Sequence, residues 1–369
     1  MIPVARRLLF RNRGGLIVTI AGVAATISLL LFLFAVHDGV RDGSTRYVST
    51  AGVDIWVSQK NSDNILKSSS FLPADLAFEV AEVDGVAVAS PLTRVITKAD
   101  VNGRRSSTLF ILAFDPETNL GAPTTVSDGS AKLERGEIVL DRSFVKKYRL
   151  GVGSMLEIQG RAFTVKGISE GTNALVSQFG FTRRDDAAAI LGLENTASFI
   201  LVTVREPDER SKVAERIRVQ FPDLSVHEAD DFVRYHHEEM QSGVLPVFAA
   251  AAIFGAFVCA LIVALMLYNT VLSRREDYAT LKALGASQRW LVRVIVTQAL
   301  IVTALGCAGG AAIVAAMTPL LLYTVPALSL RYEPQLLFVL PVALLVGAVS
   351  ALAPVGLLKR IYPGEVFRA

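Results

Sequence analysis

The densest concentration of reactive side chains in this sequence is His227, Asp230 and the run His236-His237-Glu238-Glu239. Imidazoles and carboxylates this close together could ligate a metal ion or a haem iron. Their spacing argues against it. Adjacent residues of a helix point about 100° apart, so His236 and His237 cannot both reach one ion from one helix. The run reads instead as a solvated helix face, with no metal and no cofactor held by this chain. Other familiar chemistries are missing from the sequence. No Gly-x-x-x-x-Gly-Lys-Ser/Thr run occurs, so there is no P-loop to cradle and split a nucleoside triphosphate. His-Glu-x-x-His and Gly-x-Ser-x-Gly are absent too. The chain reads as non-catalytic, and ATP-driven work would need a separate subunit to hydrolyse ATP.

A second stretch carries charge without catalytic pattern: Ser273 to Gln288, SRREDYATLKALGASQ, between two long apolar runs. Glu276 and Asp277 sit at its front, where carboxylates suit the helix dipole. Tyr278, Leu281 and Leu284 recur near helical spacing and are read as one apolar stripe. Gly285 suits a helix C-terminus, and Ser287 can cap the helix that follows. A short amphipathic helix held between two spans presents a face to something in the aqueous phase, whereas a plain connecting loop would only avoid lipid.

The surrounding composition places these features. The chain has 369 residues, 52% of them hydrophobic, and a mean hydropathy of +0.45. The net charge of +3 is too small for a nucleic-acid binder, and the basic residues crowd at the ends of apolar runs. Cys259 and Cys307 both lie inside such runs and read as small buried side chains, not a disulfide framework. Arg6, Arg7, Arg11 and Arg13 precede the uncharged run from Leu16 to Val36, long enough to cross about 30 Å of hydrocarbon. That run exceeds the h-region of a signal peptide and lacks a small-x-small site at its end, so it is read as an uncleaved span. Further spans are expected at about Val244–Leu272, Val294–Val325 and Leu336–Leu358, each free of ionisable side chains in its core.

From Asp38 to about Gly243 the composition is that of a soluble α+β domain. Strands are expected at Val53–Val57, Val86–Thr97, Thr108–Phe114, Glu137–Leu140, Met155–Ile158, Ala162–Ile168 and Phe199–Val204. Helices are expected at Asp75–Glu82, Asp186–Leu191 and Asp208–Gln220, with Gly160-Arg161 as a hairpin turn. Ala229 to Ser242 reads as a helical stalk running into the second span. Arg274, Arg275, Lys282, Arg289 and Arg293 lie between spans two and three, and Lys359, Arg360 and Arg368 follow span four. The loop between spans three and four has Arg331 offset by Glu333. The positive-inside rule then gives one orientation, with both termini and the charged helix in the cytoplasm and the large domain outside.

These features together resemble the MacB/FtsX/LolC-type ABC transporter permeases. The resemblance is carried by Arg275 and the run Leu281-Lys282-Ala283-Leu284-Gly285-Ala286-Ser287, which look like the cytoplasmic coupling segment of that family. Asp277 stands where the family usually has Glu. The ending ALAPVGLLKRIYPGEVFRA, with Pro354, Lys359, Arg360, Pro363, Glu365 and Arg368, also looks like the family's tail. Similar too are the segment ARRLLFRNRGGLIVTIAGV, the run Val53-Asp54-Ile55-Trp56 and the Gly151-x-Gly153-Ser154 turn. The resemblance implies a membrane α-helical protein of four transmembrane helices, with a MacB-like α+β periplasmic core domain inserted between helices 1 and 2.

The implied order is a cytoplasmic segment 1–15, helix 1 at 16–37, an extracytoplasmic domain with stalk at 38–243 and helix 2 at 244–272. A cytoplasmic coupling helix 273–293, helix 3 at 294–325, a short outer loop 326–335, helix 4 at 336–358 and a cytoplasmic tail 359–369 complete it. Function is implied likewise: the permease subunit of a bacterial inner-membrane exporter for a hydrophobic or amphipathic substrate such as haem, lipid, lipoprotein, peptide or drug. Its partners would be two copies of an ABC ATPase, which bind the ATP and Mg, a second copy or close paralogue of itself, and in some systems a periplasmic adaptor. Docking of the ATPase would fall to Arg275, Asp277, Tyr278, Leu281, Lys282, Leu284 and Gly285. The alternative is an FtsX-like mechanotransmitter that regulates an extracytoplasmic partner and transports nothing.

The orientation is open to test by labelling. Cysteine placed at Ser127 should react with an impermeant thiol reagent added outside intact cells, and cysteine at Ser287 should not. The reverse pattern would overturn the assignment of sides.

Overall fold

The computed structural model describes residues 13–66, 70–174, 177–192, 194–243, 245–273, 275–324, 330, 339–352 and 354–355. Outside them lie Arg6, Arg7, Arg11, Arg274, Arg331, Glu333, both flanks of the expected fourth span, and the tail 359–369. The chain divides into two compact units, an α/β unit formed chiefly by Gly39–Leu245 and a unit of apolar helices.

Helix α1 (Arg13–Thr50) holds the first apolar run and does not stop where that run ends. At 38 residues it is about 57 Å long, nearly twice a hydrocarbon core, and its turns from Gly39 onward belong to the α/β unit. There Tyr47 and Val48 are buried, and the Tyr47 hydroxyl donates to the Gly121 carbonyl at 2.8 Å. Burial alone pushes the Tyr47 phenol well above its ordinary range. Gly121 is required at that contact. Its φ is +82°, and a Cβ there would meet Leu201 at 2.8 Å and Leu92 at 3.0 Å.

After α1 the chain forms β1 (Ile55–Gln59), β2 (Leu72–Pro73), α2 (Leu76–Ala81), β3 (Val86–Val101), β4 (Arg104–Phe114), β5 (Val126–Gly129) and β6 (Glu137–Asp141). Then come α3 (Arg142–Tyr148), β7 (Met155–Ile158), β8 (Arg161–Ser169), β9 (Asn173–Ala174), β10 (Ser177–Arg183), α4 (Arg184–Leu191), β11 (Thr196–Ala197) and β12 (Phe199–Val204). A short 3-10 turn, Pro207–Glu209, leads to α5 (Arg210–Gln220), β13 (Leu224–Glu228) and α6 (Ala229–Gly243). The main sheet runs β13-β1-β12-β3-β4-β10-β6-β8-β5, and β7 pairs with both β3 and β8. That double pairing closes β3, β4, β10, β6, β8 and β7 into a six-stranded ring.

Strand β3 makes this possible by changing partners midway. Val86 to Leu92 pair with β12, and Thr93 to Val101 pair with β4, with Ala99 and Asp100 also meeting β7. Alternating apolar residues fill the ring, among them Val95, Leu109, Ile111, Ile138, Phe163 and Val165. A second core lies under α2 and α5, and a third gathers the aromatics Tyr47, Trp56, Phe179, Phe181, Phe199 and Phe232.

Each expected strand and helix of this unit is present, with ends shifted by a few residues. The hairpin turn differs from expectation. Ile158 pairs with Arg161, so the two-residue turn is Gln159-Gly160, with φ of +50° and +77°. Both residues sit in the left-handed region that a tight hairpin demands, and Arg161 opens the next strand.

The other unit contains α7 (Leu245–Ser273), α8 (Arg275–Ala283), α9 (Gln288–Thr324) and α10 (Val339–Ser350). Among the described residues three helices are long and apolar enough to cross a membrane: α1, α7 and α9. Helix α10 is apolar but has only 12 described residues. Close approach of α9 to α1 depends on absent side chains. A Cβ at Gly306 would lie 2.3 Å from Cγ1 of Val23, and one at Gly310 would meet the Ala24 carbonyl at 2.9 Å. Gly306→Val should therefore destabilise this unit by about 1–3 kcal/mol of overpacking. The expected result is an earlier thermal collapse of the detergent-solubilised chain in size-exclusion assays. Gly14→Ala is the control, since its Cβ would meet nothing within 4 Å.

Candidate functional site

Two places need an account: the charged helix between the apolar helices, and the histidines of α6. The first is a closed structural module. Helix α8 ends at Gly285 with φ +89°. The Gly285 N–H donates to the Lys282 carbonyl at 3.0 Å and the Ala286 N–H to the Leu281 carbonyl at 2.9 Å. These two bonds make a Schellman closure, which satisfies carbonyls the helix would otherwise leave open. Two residues on, the Ser287 hydroxyl accepts the Trp290 N–H at 3.3 Å and caps α9. The reversal is complete within a few residues.

The expected apolar stripe divides. Tyr278 and Ala279 are fully buried in the core of the apolar unit, Leu281 is half-buried against that core, and Leu284 is 80% exposed. The physical reason is the spacing itself. Steps of three fall short of the 3.6-residue turn by 60° each, so Leu284 lies about 120° round from Tyr278. Arg275, Glu276, Thr280 and Leu284 are exposed, and Asp277 and Lys282 are half-buried. Tyr278 thus anchors the helix to its own chain while Leu284 faces outward. Glu276 and Thr280 join the outward face; the four-residue steps from Glu276 to Thr280 and from Thr280 to Leu284 were the signal available in the sequence.

His236 does not lie on a solvated face, which corrects the expectation at that residue, whereas His237 is half-buried and Glu238 exposed. His236 is fully buried. Its Nε2 accepts the Ile65 N–H at 2.9 Å and its Nδ1 donates to the Phe232 carbonyl at 2.8 Å. A backbone N–H can only donate and a carbonyl can only accept, so the ring is neutral with its proton on Nδ1. Both nitrogens are occupied by the protein's own backbone, leaving no lone pair for a metal or haem. His227 is turned elsewhere: its Nε2 meets Asp63 Oδ1 at 2.7 Å and its ring stacks on Phe232. Phe232 in turn stacks on Trp56 with ring centres 4.8 Å apart. His227 and His236 therefore belong with the aromatic core.

Burial lowers the His236 pKa from 6.5 to about 4. Between those values the unfolded chain binds a proton that the folded chain refuses. Stability is thus complete above about pH 6.5 and falls as the pH drops toward 4, by about 3 kcal/mol at most. Thermal melts followed by Trp56 fluorescence should show this slope in the wild type. His236→Gln should be less stable near neutral pH yet lose that part of the slope. An unchanged slope in the variant would assign it to another group.

Comparison with known proteins follows from this geometry. Residues 16–220 match the family described as MacB-like periplasmic core domain, and residues 249–363 match FtsX-like permease C-terminal. An uncharacterized ABC transporter permease of Mycobacterium tuberculosis is 26% identical over 326 residues, covering 87% of this chain and 86% of that protein. One of Mycobacterium bovis is 26% identical over 317 residues, covering 84% of each. Among solved structures, the periplasmic region of MacB from Actinobacillus actinomycetemcomitans aligns with TM-score 0.39 and 12% identity, covering 52% of this chain and 94% of that one. The extracellular domain of the transporter YknZ from Gram-positive bacteria aligns with TM-score 0.37 and 12% identity, covering 47% and 98%.

Proposed function

For this chain, which belongs to the MacB/FtsX-type ABC transporter permeases, we propose the role of an exporter subunit driven by a separate ATPase. The carrying observation is helix α8: capped at its end, anchored by buried Tyr278, and exposing Arg275, Glu276, Thr280 and Leu284. A docked ATPase would grip that outward face, with Leu284 in an apolar groove, Arg275 against carboxylates, and Gly285 allowing close approach at the helix end. Asp277 and Lys282, half-buried beside it, orient the helix, and Leu281 supports it from beneath.

In this reading two ATPases bind a pair of permease chains, and the apolar helices, four in all with the segment around α10, lie in the bacterial inner membrane. The α/β unit lies outside. ATP-driven closure of the spans passes along α1 and α6, the helices that lead into and out of that unit, and displaces a hydrophobic or amphipathic substrate taken from the membrane or the outer side. The size of the unit, chiefly Gly39–Leu245, supports export over mechanotransmission alone. The chain supplies no catalytic group of its own to the cycle.

Leu284→Asp is the discriminating substitution, because Leu284 is exposed and its loss leaves the protein's own core intact. Burial of one leucine in a partner contributes about 1.5–3 kcal/mol, and an unpaired carboxylate in the interface costs about as much again or more. ATPase retention on pull-down should weaken at least about a hundred-fold. Chromatographic size and thermal stability should stay as in the wild type. Normal copurification with the ATPase and normal export would reduce α8 to a connecting loop. Leu281→Asp is less informative, since it also damages the core that Leu281 covers.

A further inference from the structure

Helix α9 has two sharply different faces. One is buried continuously from Leu291 to Gly310. The other begins with exposed Arg289 and Arg293, one turn apart, and continues through exposed Leu300, Ala304, Ala308 and Ala315. Arg293 lies five residues into the helix, about 8 Å along its axis. Among the described residues neither guanidinium takes part in an ion pair. The sequence offers them little choice, for no Asp or Glu occurs between Asp277 and Glu333. Two cations therefore head an exposed apolar stripe of Leu300, Ala304, Ala308 and Ala315.

We infer that this stripe is a binding site for an anionic phospholipid, with the phosphate between Arg289 and Arg293 and an acyl chain along Ala304 and Ala308. Guanidinium groups match phosphate oxygens in both charge and fork geometry. The level is right as well, since cations at a helix end meet the headgroup region and the residues below meet hydrocarbon. A second copy of α9 packed in parallel across a two-fold axis would set Arg289 and Arg293 against their own counterparts, which opposes that occupant. A soluble anion would make no use of the apolar stripe. The inference rests on α9 spanning a bilayer and is independent of ATPase docking at α8.

The full-length chain in nanodiscs provides the test, with Trp290 beside the arginines as reporter. Trp56 is fully buried in the α/β unit and contributes a constant background. Phosphatidylglycerol with brominated chains, diluted into phosphatidylcholine, should quench Trp290 more than brominated phosphatidylcholine does. Arg289→Gln with Arg293→Gln should cut that preference roughly thirty-fold, from about one ionic contact per arginine. The matching double change to lysine should keep it. Native mass spectrometry of the wild type should show retained phosphatidylglycerol after detergent purification. Equal quenching by the two lipids, or an unchanged preference in the glutamine variant, would overturn the site. Full competition by inorganic phosphate would overturn the lipid as its occupant.

Discussion

A chain that leaves one apolar helix and enters the next must turn within reach of water while leaving no backbone group unpaired. Around that constraint the apolar unit is arranged. Ser273 ends α7, the Gly285 and Ala286 N–H groups close α8 on the Lys282 and Leu281 carbonyls, and Ser287 starts α9. The left-handed φ at Gly285 would strain any residue with a Cβ, so the closure and the glycine come together. The C-terminal end of α8 is thereby satisfied within its own chain. Tyr278 and Ala279 then fix it to the unit's core and decide which face is left outward. Anchoring and exposure are two results of one helical rotation.

The α/β unit solves a different problem, the joining of two cores through one strand. The first half of β3 belongs to the sheet under α2 and α5, and its second half belongs to the closed ring. Strain or displacement of β3 is therefore felt in both cores. The unit's entry and exit segments are tied to the same region. Tyr47 of α1 meets Trp56 edge-on at 6.5 Å, and Trp56 stacks on Phe232 of α6. Asp54 reinforces the tie: its carboxylate accepts two bonds from Arg210 and one from the Val204 N–H, and its carbonyl accepts the Ala229 N–H that begins α6. Helices that lead into and out of this unit thus share one aromatic and ionic junction.

Sequence patterning made the apolar runs, most strands and both caps of the α8–α9 turn legible, because each rests on local chemistry. Strand β10 was not legible. Gly180 interrupts its apolar run, yet a Cβ there would meet Ile138 and Leu140 at 3.3 Å, so the glycine is set by neighbours remote in sequence. Strand β13 reads as polar because its single buried residue is Val226. His236 illustrates the same limit. Its charged neighbours suggested solvent, whereas burial was decided by Ile65 on a distant loop. At the candidate site the residue types were readable and their sidedness was not, since three-residue spacing leaves a 60° ambiguity at every step.

The apolar helices carry a final constraint on how any work could be done. Between residues 16 and 36, 245 and 272, and 294 and 324, no Asp, Glu, Lys, Arg or His occurs. Ion-coupled carriers place such groups inside their spans, because a translocated proton or cation needs a site to occupy. Here the interior contacts include glycines closed on side chains, Gly306 on Val23, Gly310 on Ile27 and Gly347 on Thr303. Contacts of that kind are close-packed and resist compression. Spans without charge and with backbone-close packing are suited to carrying force and unsuited to carrying ions. For a permease whose proposed drive arrives at α8, the composition of these helices suits that division of labour.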